Sequence, residues 1–168
     1  AVTYAVEARK EGQRVFQVGI RDCNPQVAEL WCPSGCDATL MADFSAANQE
    51  PATKARLEAV KRWREIPPGG ILIIDECQDY LPVRPPGQPP EWILMFARLR
   101  QFGMQVWLIT QEPRNIDSFV RRLIGAHVHI ERKMGTKSAV TFRWEKVAED
   151  VQDYHARKAS AKSAFRQT

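Results

Sequence analysis

Residues 70–78 read Gly-Ile-Leu-Ile-Ile-Asp-Glu-Cys-Gln, so that four bulky apolar residues run directly into two adjacent carboxylates. The apolar run does not alternate with polar residues. The prolines and glycines at 67–70 would end any helix or strand that comes before it. This pattern predicts a strand buried on both faces, as in a parallel sheet covered by helices. Because ligand crevices in such sheets lie at the carboxyl ends of the strands, the two carboxylates are candidates for a functional site.

Asp75 and Glu76 are the candidate residues at the end of this strand. Two neighbouring carboxylates repel each other and lose hydration when they are buried together, so a functional role would account for them. Asp75 could hold a hydrated divalent cation and Glu76 could polarise a water molecule, which is the arrangement of a Walker B strand. Alternatively, the pair forms a solvated turn or the N-cap of the next helix.

Length and composition predict one soluble domain. The chain has 168 residues and a net charge of +4, which is compatible with nucleic acid or an anionic membrane as a neighbour but requires neither. No run approaches the roughly 18 apolar residues of a membrane span. Residues 1–30 lack the charged start and apolar core of a signal peptide.

The cysteines allow two interpretations. Cys23, Cys32 and Cys36 could supply three ligands of a zinc site, but no paired motif or histidine lies close to them, so reduced thiols are favoured. Cys77 lies at the end of the proposed buried strand, where we expect it to be an inert apolar residue.

The remaining pattern predicts alternating helices and strands. We expect helices over 1–11, 51–66, 91–102 and 116–124, and strands over 15–20, 71–74 and 106–109. Between 21 and 50 we expect a short helix near 27–31 and a short strand at 39–42. Strict alternation over 126–130 and 139–144 predicts an edge strand and its β-hairpin partner.

This order indicates an α/β fold with a mostly parallel sheet, so that the strand ending at Ile109 brings Gln111 to the same edge as Glu76. Gln111 could orient the same water molecule or contact a phosphate, or it could be an ordinary loop amide. The phosphate-binding pattern G-x-x-x-x-G-K-[ST] does not occur in the 168 residues.

Several of these features occur together in one known family. They are Trp63, Pro67, Gly69 and Gly70 before the apolar strand, Asp-Glu-x-Gln at 75–78, Arg100 and Gly103 before a strand ending Ile-Thr-Gln at 109–111, Ile116-Asp117, Arg121, and His127-x-His129. In these residues the chain resembles the zonular occludens toxin (Zot) family, the filamentous-phage gene I assembly proteins. The resemblance covers residues 1 to about 145.

The resemblance implies a P-loop NTPase fold of the RecA/FtsK type. Residues 1–9 then look like the remainder of the helix that follows the phosphate loop, with the first strand and the loop itself upstream of residue 1. In the family fold that first strand would lie beside the strand of 71–74 or that of 106–109, so its loss implies a central gap in the sheet. The implied domain spans 1–146, and 147–168 form a basic tail.

The resemblance also implies a function that uses ATP and Mg²⁺. Asp75 would hold Mg²⁺ through water, Glu76 would activate the attacking water, and Gln111 would sense the terminal phosphate. Arg121 or Arg122 could act as an arginine finger toward a neighbouring subunit, or could simply be a solvated or ion-paired residue.

In cellular terms, a member of this family powers assembly and extrusion of single-stranded DNA phage through the host inner membrane. The implied partners are further copies of the chain, the phage DNA–protein complex and other assembly and export proteins. This segment would lie at the cytoplasmic face, with a membrane segment beyond residue 168. The alternative is a non-catalytic binding or scaffold module with an NTPase-like fold.

Overall fold

The computed structural model describes residues 2–132 and 139–148. The chain forms two compact units, Ala1–Asp117 with the parallel sheet and Ser118–Thr168 with a β-hairpin. From residue 149 onward, the expected basic tail lies outside the described residues. No helix within the described ranges is long and apolar enough to cross a bilayer.

The first unit alternates helices and short strands. They are α1 (Val2–Lys10), β1 (Val15–Val18), β2 (Glu29–Leu30), α2 (Ala38–Met41), α3 (Gln49–Lys61), β3 (Ile71–Ile74), α4 (Glu91–Leu94) and β4 (Gln105–Leu108). Short 3₁₀-helices lie at Ala46–Asn48, Trp63–Glu65, Cys77–Asp79, Met95–Phe102 and Pro113–Asn115.

The four strands form one parallel sheet in the order β2-β1-β3-β4. The expected α/β class with a mostly parallel sheet is therefore confirmed. All four residues of β3 are buried, because the strand has neighbours on both sides and helices cover the sheet. On one face, Ala5 and Ala8 of α1 pack with Val15, Ile71 and Ile73.

Of the two positions expected for the missing first strand, the one beside Ile71–Ile74 is wrong. β3 pairs with β1 on one side and with β4 on the other, so the position beside Ile71–Ile74 is already filled. β4 and β2 are the two edge strands of the described sheet, so the other expected position, beside the strand of 106–109, is not contradicted. The sheet formed by the described residues is therefore continuous.

Both short elements expected between 21 and 50 are wrong. The segment near 27–31 forms β2 instead of a helix, because it pairs with β1 and the Trp31 N–H donates to Gln17 O at 2.9 Å. The segment 39–42 lies mostly in α2 instead of a strand, because the Asp37 carboxylate caps the Leu40 N–H at 3.0 Å.

Two predicted helices tighten before they end. The helix of 51–66 is α3 up to Lys61 and then a 3₁₀-turn, and the helix of 91–102 is α-helical only to Leu94. Because a 3₁₀-helix has three residues per turn, Phe96 and Phe102 lie on one side of it, and both rings contact Trp63, at 5.3 and 5.9 Å between centroids.

The second unit contains α5 (Ser118–Leu123), β5 (His127–Arg132) and β6 (Ala139–Trp144). β5 and β6 pair antiparallel, from His127 opposite Trp144 to Arg132 opposite Ala139, so the predicted hairpin is confirmed. The prediction of an edge strand is wrong in one respect, because the hairpin forms a separate two-stranded sheet.

Candidate functional site

The candidate site lies at the carboxyl end of β3. The Asp75 N–H donates to Val18 O at 2.9 Å, which fixes the end of β3 against β1, and the Cys77 N–H donates to Ile109 O at 2.9 Å. Asp75 and Glu76 therefore sit on a main chain that is hydrogen-bonded to both neighbouring strands. Both side chains are half-buried.

Glu76 has a left-handed main-chain conformation, with φ 45° and ψ 48°. Residues other than glycine rarely adopt this conformation, which costs about 1–3 kcal/mol and clusters at functional sites. The turn is braced by the Glu76 N–H, which donates to Asp75 Oδ1 at 3.1 Å. Glu76 occupies the N-cap position of the following 3₁₀-helix, but its side chain makes no capping hydrogen bond there.

Amide groups hold both carboxylate oxygens of Glu76. Gln111 Nε2 donates to Oε1 at 3.1 Å, and Gln78 Nε2 donates to Oε2 at 2.7 Å. The Thr110 hydroxyl in turn donates to Gln78 Oε1 at 2.7 Å, which fixes the orientation of the Gln78 amide. The ends of β3 and β4 thus form one polar network around Glu76, and the expected proximity of Gln111 to Glu76 is confirmed.

Sequence reasoning missed the parts that Gln78 and Thr110 play in this network. Both residues stood inside the quoted motifs, Asp-Glu-x-Gln and Ile-Thr-Gln, but neither was assigned a contact. The signal that could have identified them is the short spacing to Glu76 and Gln111. Gln78 lies two positions after Glu76, and Thr110 directly precedes Gln111. Both residues therefore lie at the same edge of the sheet.

Burial and mutual repulsion shape the electrostatics of this turn. Burial raises the pKa of Asp75, and the charge of Glu76 raises it further. The pKa of Asp79 is raised for the same two reasons. Burial also raises the pKa of Cys77 to about 12, in keeping with the expectation of an inert thiol. The turn thus concentrates negative charge where hydration is reduced.

The chemistry of these donors fits Mg²⁺. A divalent cation would relieve the repulsion at Asp75, and Mg²⁺ is typically bound by one or two carboxylates together with waters and substrate phosphates. Within the described residues, no three His, Cys, Asp or Glu side chains form a complete metal site, which includes the three cysteines considered for zinc. The donors here suit a cation that needs few protein ligands.

Gly19, which follows the adjacent strand β1, and Tyr80, which follows the 3₁₀-turn at Cys77–Asp79, lie close to the site. Gly19 follows β1 with φ +88°, and a Cβ atom on it would lie 2.9 Å from Asp75 O and 3.2 Å from the Tyr80 hydroxyl. Tyr80 is buried at 3% exposure. Arg56, also buried, donates from Nε to Met41 O at 2.8 Å and so ties α3 to the end of α2.

Arg121 and Arg122 lie on α5 in the second unit. Arg122 is exposed, with its guanidinium 6.0 Å from the centre of the Phe119 ring, and Arg121 is half-buried. These two residues belong to a different unit from Asp75, Glu76 and Gln111.

Comparison with known proteins gives consistent matches. The family model described as zonular occludens toxin (Zot) matches residues 4–164. ORF301, which is named as an assembly protein of Pseudomonas phage Pf3, is 28% identical over 100 residues, or 57% of this chain and 33% of that protein. The matched stretch therefore spans about a third of the length of this relative.

Comparison with solved structures gives two further similarities. The N-terminal domain of zonular occludens toxin from Neisseria meningitidis has a TM-score of 0.57 and 23% identity, over 99% of this chain and 84% of that one. The genome packaging NTPase B204 from Sulfolobus turreted icosahedral virus 2, in complex with ATP-gammaS, has a TM-score of 0.46 and 12% identity, over 80% and 67% of the two chains. The first of these matches shows a shared fold.

Proposed function

Because the chain belongs to the zonular occludens toxin (Zot) family, we propose that it is the ATPase part of a phage assembly protein. In this proposal, residues 1–146 form the NTPase domain and 147–168 a basic tail. The protein acts as a homo-oligomer at the cytoplasmic face of the host inner membrane. There it powers the extrusion of a single-stranded DNA phage, together with other assembly and export proteins.

The observation that carries the catalytic part is the hydrogen-bonded Glu76. A carboxylate offers about four lone-pair positions, and the two amide donors leave positions free to accept a proton from water. Glu76 acts as the general base in this proposal, while Gln111 holds its carboxylate from the β4 side. Asp75 holds Mg²⁺ through water, and the cation neutralises phosphate charge when bound.

A non-catalytic module remains the second candidate. It is favoured by one observation, that the 168 residues contain no glycine-rich loop with its lysine to contact a triphosphate. The two candidates differ in whether the full-length protein hydrolyses ATP in a reaction that depends on Mg²⁺. A full-length protein that binds no ATP would support the module.

An arginine finger predicts cooperation between subunits. If Arg121 or Arg122 acts across a subunit boundary, hydrolysis by the full-length protein is expected to rise faster than linearly with concentration, because the site is complete only in the oligomer. Arg121→Ala or Arg122→Ala protein mixed with Glu76→Gln protein is then expected to recover part of the activity. Strictly linear activity without recovery would instead indicate solvated or ion-paired arginines.

Thr110 is expected to position Glu76 through Gln78. Thr110→Val removes the hydroxyl, which frees the Gln78 amide and also removes the acceptor of the Glu112 N–H at 3.3 Å. Loss of the bond to Gln78 is expected to lower hydrolysis about 3- to 10-fold. Thr110→Ser keeps the hydroxyl and serves as the control, with activity expected within about twofold of the native protein. Equal losses in both variants, or a lowered melting temperature that explains the loss, would contradict a positioning role.

A further inference from the structure

We propose that the amino-terminal edge of the parallel sheet binds single-stranded nucleic acid. This edge lies opposite to the Asp75–Glu76 site and is formed by the segments that lead into β1, β3 and β4. The inference rests on the proposed function only for the identity of the natural strand, which would be the phage DNA. Binding itself is independent of ATP.

Main-chain hydrogen bonds join these segments into one continuous surface. The Ile71 N–H donates to Arg14 O at 2.9 Å, which connects the segments before β3 and β1. The Gly69 N–H donates to Phe102 O at 3.2 Å, which connects the segments before β3 and β4. Because neighbouring strands are about 4.8 Å apart, the surface spans about 10 Å from β1 to β4.

The two edges of the sheet carry opposite charge. The segments before the strands, residues 10–14, 61–70 and 98–104, contain seven lysines and arginines but two glutamates. The segments after the strands, residues 19–28, 75–82 and 109–117, contain six aspartates and glutamates but two arginines. The modest net charge of the chain therefore conceals a basic edge that attracts a phosphate backbone.

Three arginines on this edge keep their charge available for a ligand. Arg64, Arg98 and Arg100 are exposed, and none of them forms an ion pair with another residue that the structure describes. Lys61 and Arg62, by contrast, are each paired with a glutamate at 2.6 Å.

The basic edge contains a concave site with an aromatic wall. The site has a volume of about 410 Å³, and Lys61, Arg62, Arg64, Glu65 and Phe102 line it. Phe102 is half-buried, and its ring is held edge-on against Trp63 at 5.9 Å between centroids. Proteins that bind single strands combine a positive groove with rigid aromatic rings on which the bases stack. The bases of a duplex are already stacked, so the Phe102 ring favours a single strand.

The edge lacks the features of a membrane-binding surface. A basic surface that enters a bilayer also presents large apolar side chains for insertion. In the described part of the chain, the exposed large apolar residues are Tyr4, Val83, Leu123, Val128 and Ile130. All of them lie outside the three basic segments.

The test is binding of a fluorescein-labelled oligothymidylate of 20 nucleotides to the full-length protein, measured by anisotropy without nucleotide. The variant Arg64→Ala/Arg98→Ala/Arg100→Ala is expected to bind at least about 10-fold more weakly at 0.1 M salt. Each phosphate contact on a single strand contributes about 0.7 to the slope of log affinity against log salt, so the slope is expected to fall by about 2.

The matched control is Arg21→Ala/Lys54→Ala/Lys146→Ala, which removes three positive charges from exposed positions elsewhere. It is expected to change affinity less than about twofold, and replacement of the three edge arginines by lysine is expected to keep most of the affinity.

Equal weakening of control and edge variants would overturn the proposal. So would equal affinity for a duplex of the same length, or native protein that binds phosphatidylserine vesicles or polyglutamate but not the oligonucleotide. Loss of hydrolysis in the Glu76→Gln variant concerns the other edge and leaves this test unaffected.

Discussion

Replacing Glu76 with glutamine is expected to lower ATP hydrolysis by the full-length protein at least about 100-fold while ATP binding is retained. Glutamine keeps the size of the side chain but removes the proton acceptor. The surrounding network can accept the change, because Gln111 is exposed and its amide can turn. The loss should therefore come from the missing base and not from a collapsed site.

The measurement is steady-state phosphate release together with the dissociation constant of ATP·Mg²⁺. Glu112→Gln is the matched control, because Glu112 lies near the same edge and its Oε1 accepts the Arg114 N–H, which a glutamine oxygen can also accept. The control is expected to hydrolyse ATP within about twofold of the native rate. Undiminished turnover in Glu76→Gln would remove the assignment of Glu76 as the base and favour the non-catalytic module.

The core of the fold could be predicted because one physical property determines it. An uninterrupted apolar run such as Ile71–Ile74 is stable only when both faces are covered, and a parallel sheet under helices provides that cover. Parallel strands also end at a common edge, so the contact between Gln111 and Glu76 followed from the order of elements.

The segment from 21 to 50 could not be predicted from local patterns. β2 is two residues long and forms because it pairs with β1. The pattern of apolar residues within the segment does not indicate this pairing. α2 is a single turn that depends on the Asp37 cap. In both places tertiary pairing or a single side-chain hydrogen bond overrides intrinsic propensity.

The detailed geometry of the candidate site also could not be predicted from the sequence. The left-handed conformation of Glu76 is imposed by its neighbours, since a glutamate on its own gives no signal for it. The basic edge is assembled from three segments that are distant along the chain, so a reading of charge runs would not find it. Each feature depends on which strands are neighbours, and that order becomes visible only in the folded sheet.

Gly19→Ala is expected to lower the free energy of unfolding by about 2–4 kcal/mol, of which about 1–2 kcal/mol is the strain of φ +88° and the rest is steric overlap. The new methyl group would lie 2.9 Å from Asp75 O, so the end of β3 or the end of β1 must move. Because the overlap is with main chain, rotation of a side chain cannot relieve it. The displacement would also reach Glu76 and reduce any activity that depends on it.

Gly12 provides a control with a similar positive φ but with no atom near the position of a Cβ. It has φ +82° and open space where a Cβ atom would lie, so Gly12→Ala is expected to cost only the strain of about 1–2 kcal/mol. Urea unfolding of both variants measures the two losses, provided that the dependence on denaturant is unchanged. The difference between them isolates the contact of Gly19 with Asp75. Equal losses would mean that the ends of β1 and β3 are not in the close contact that positions the two carboxylates.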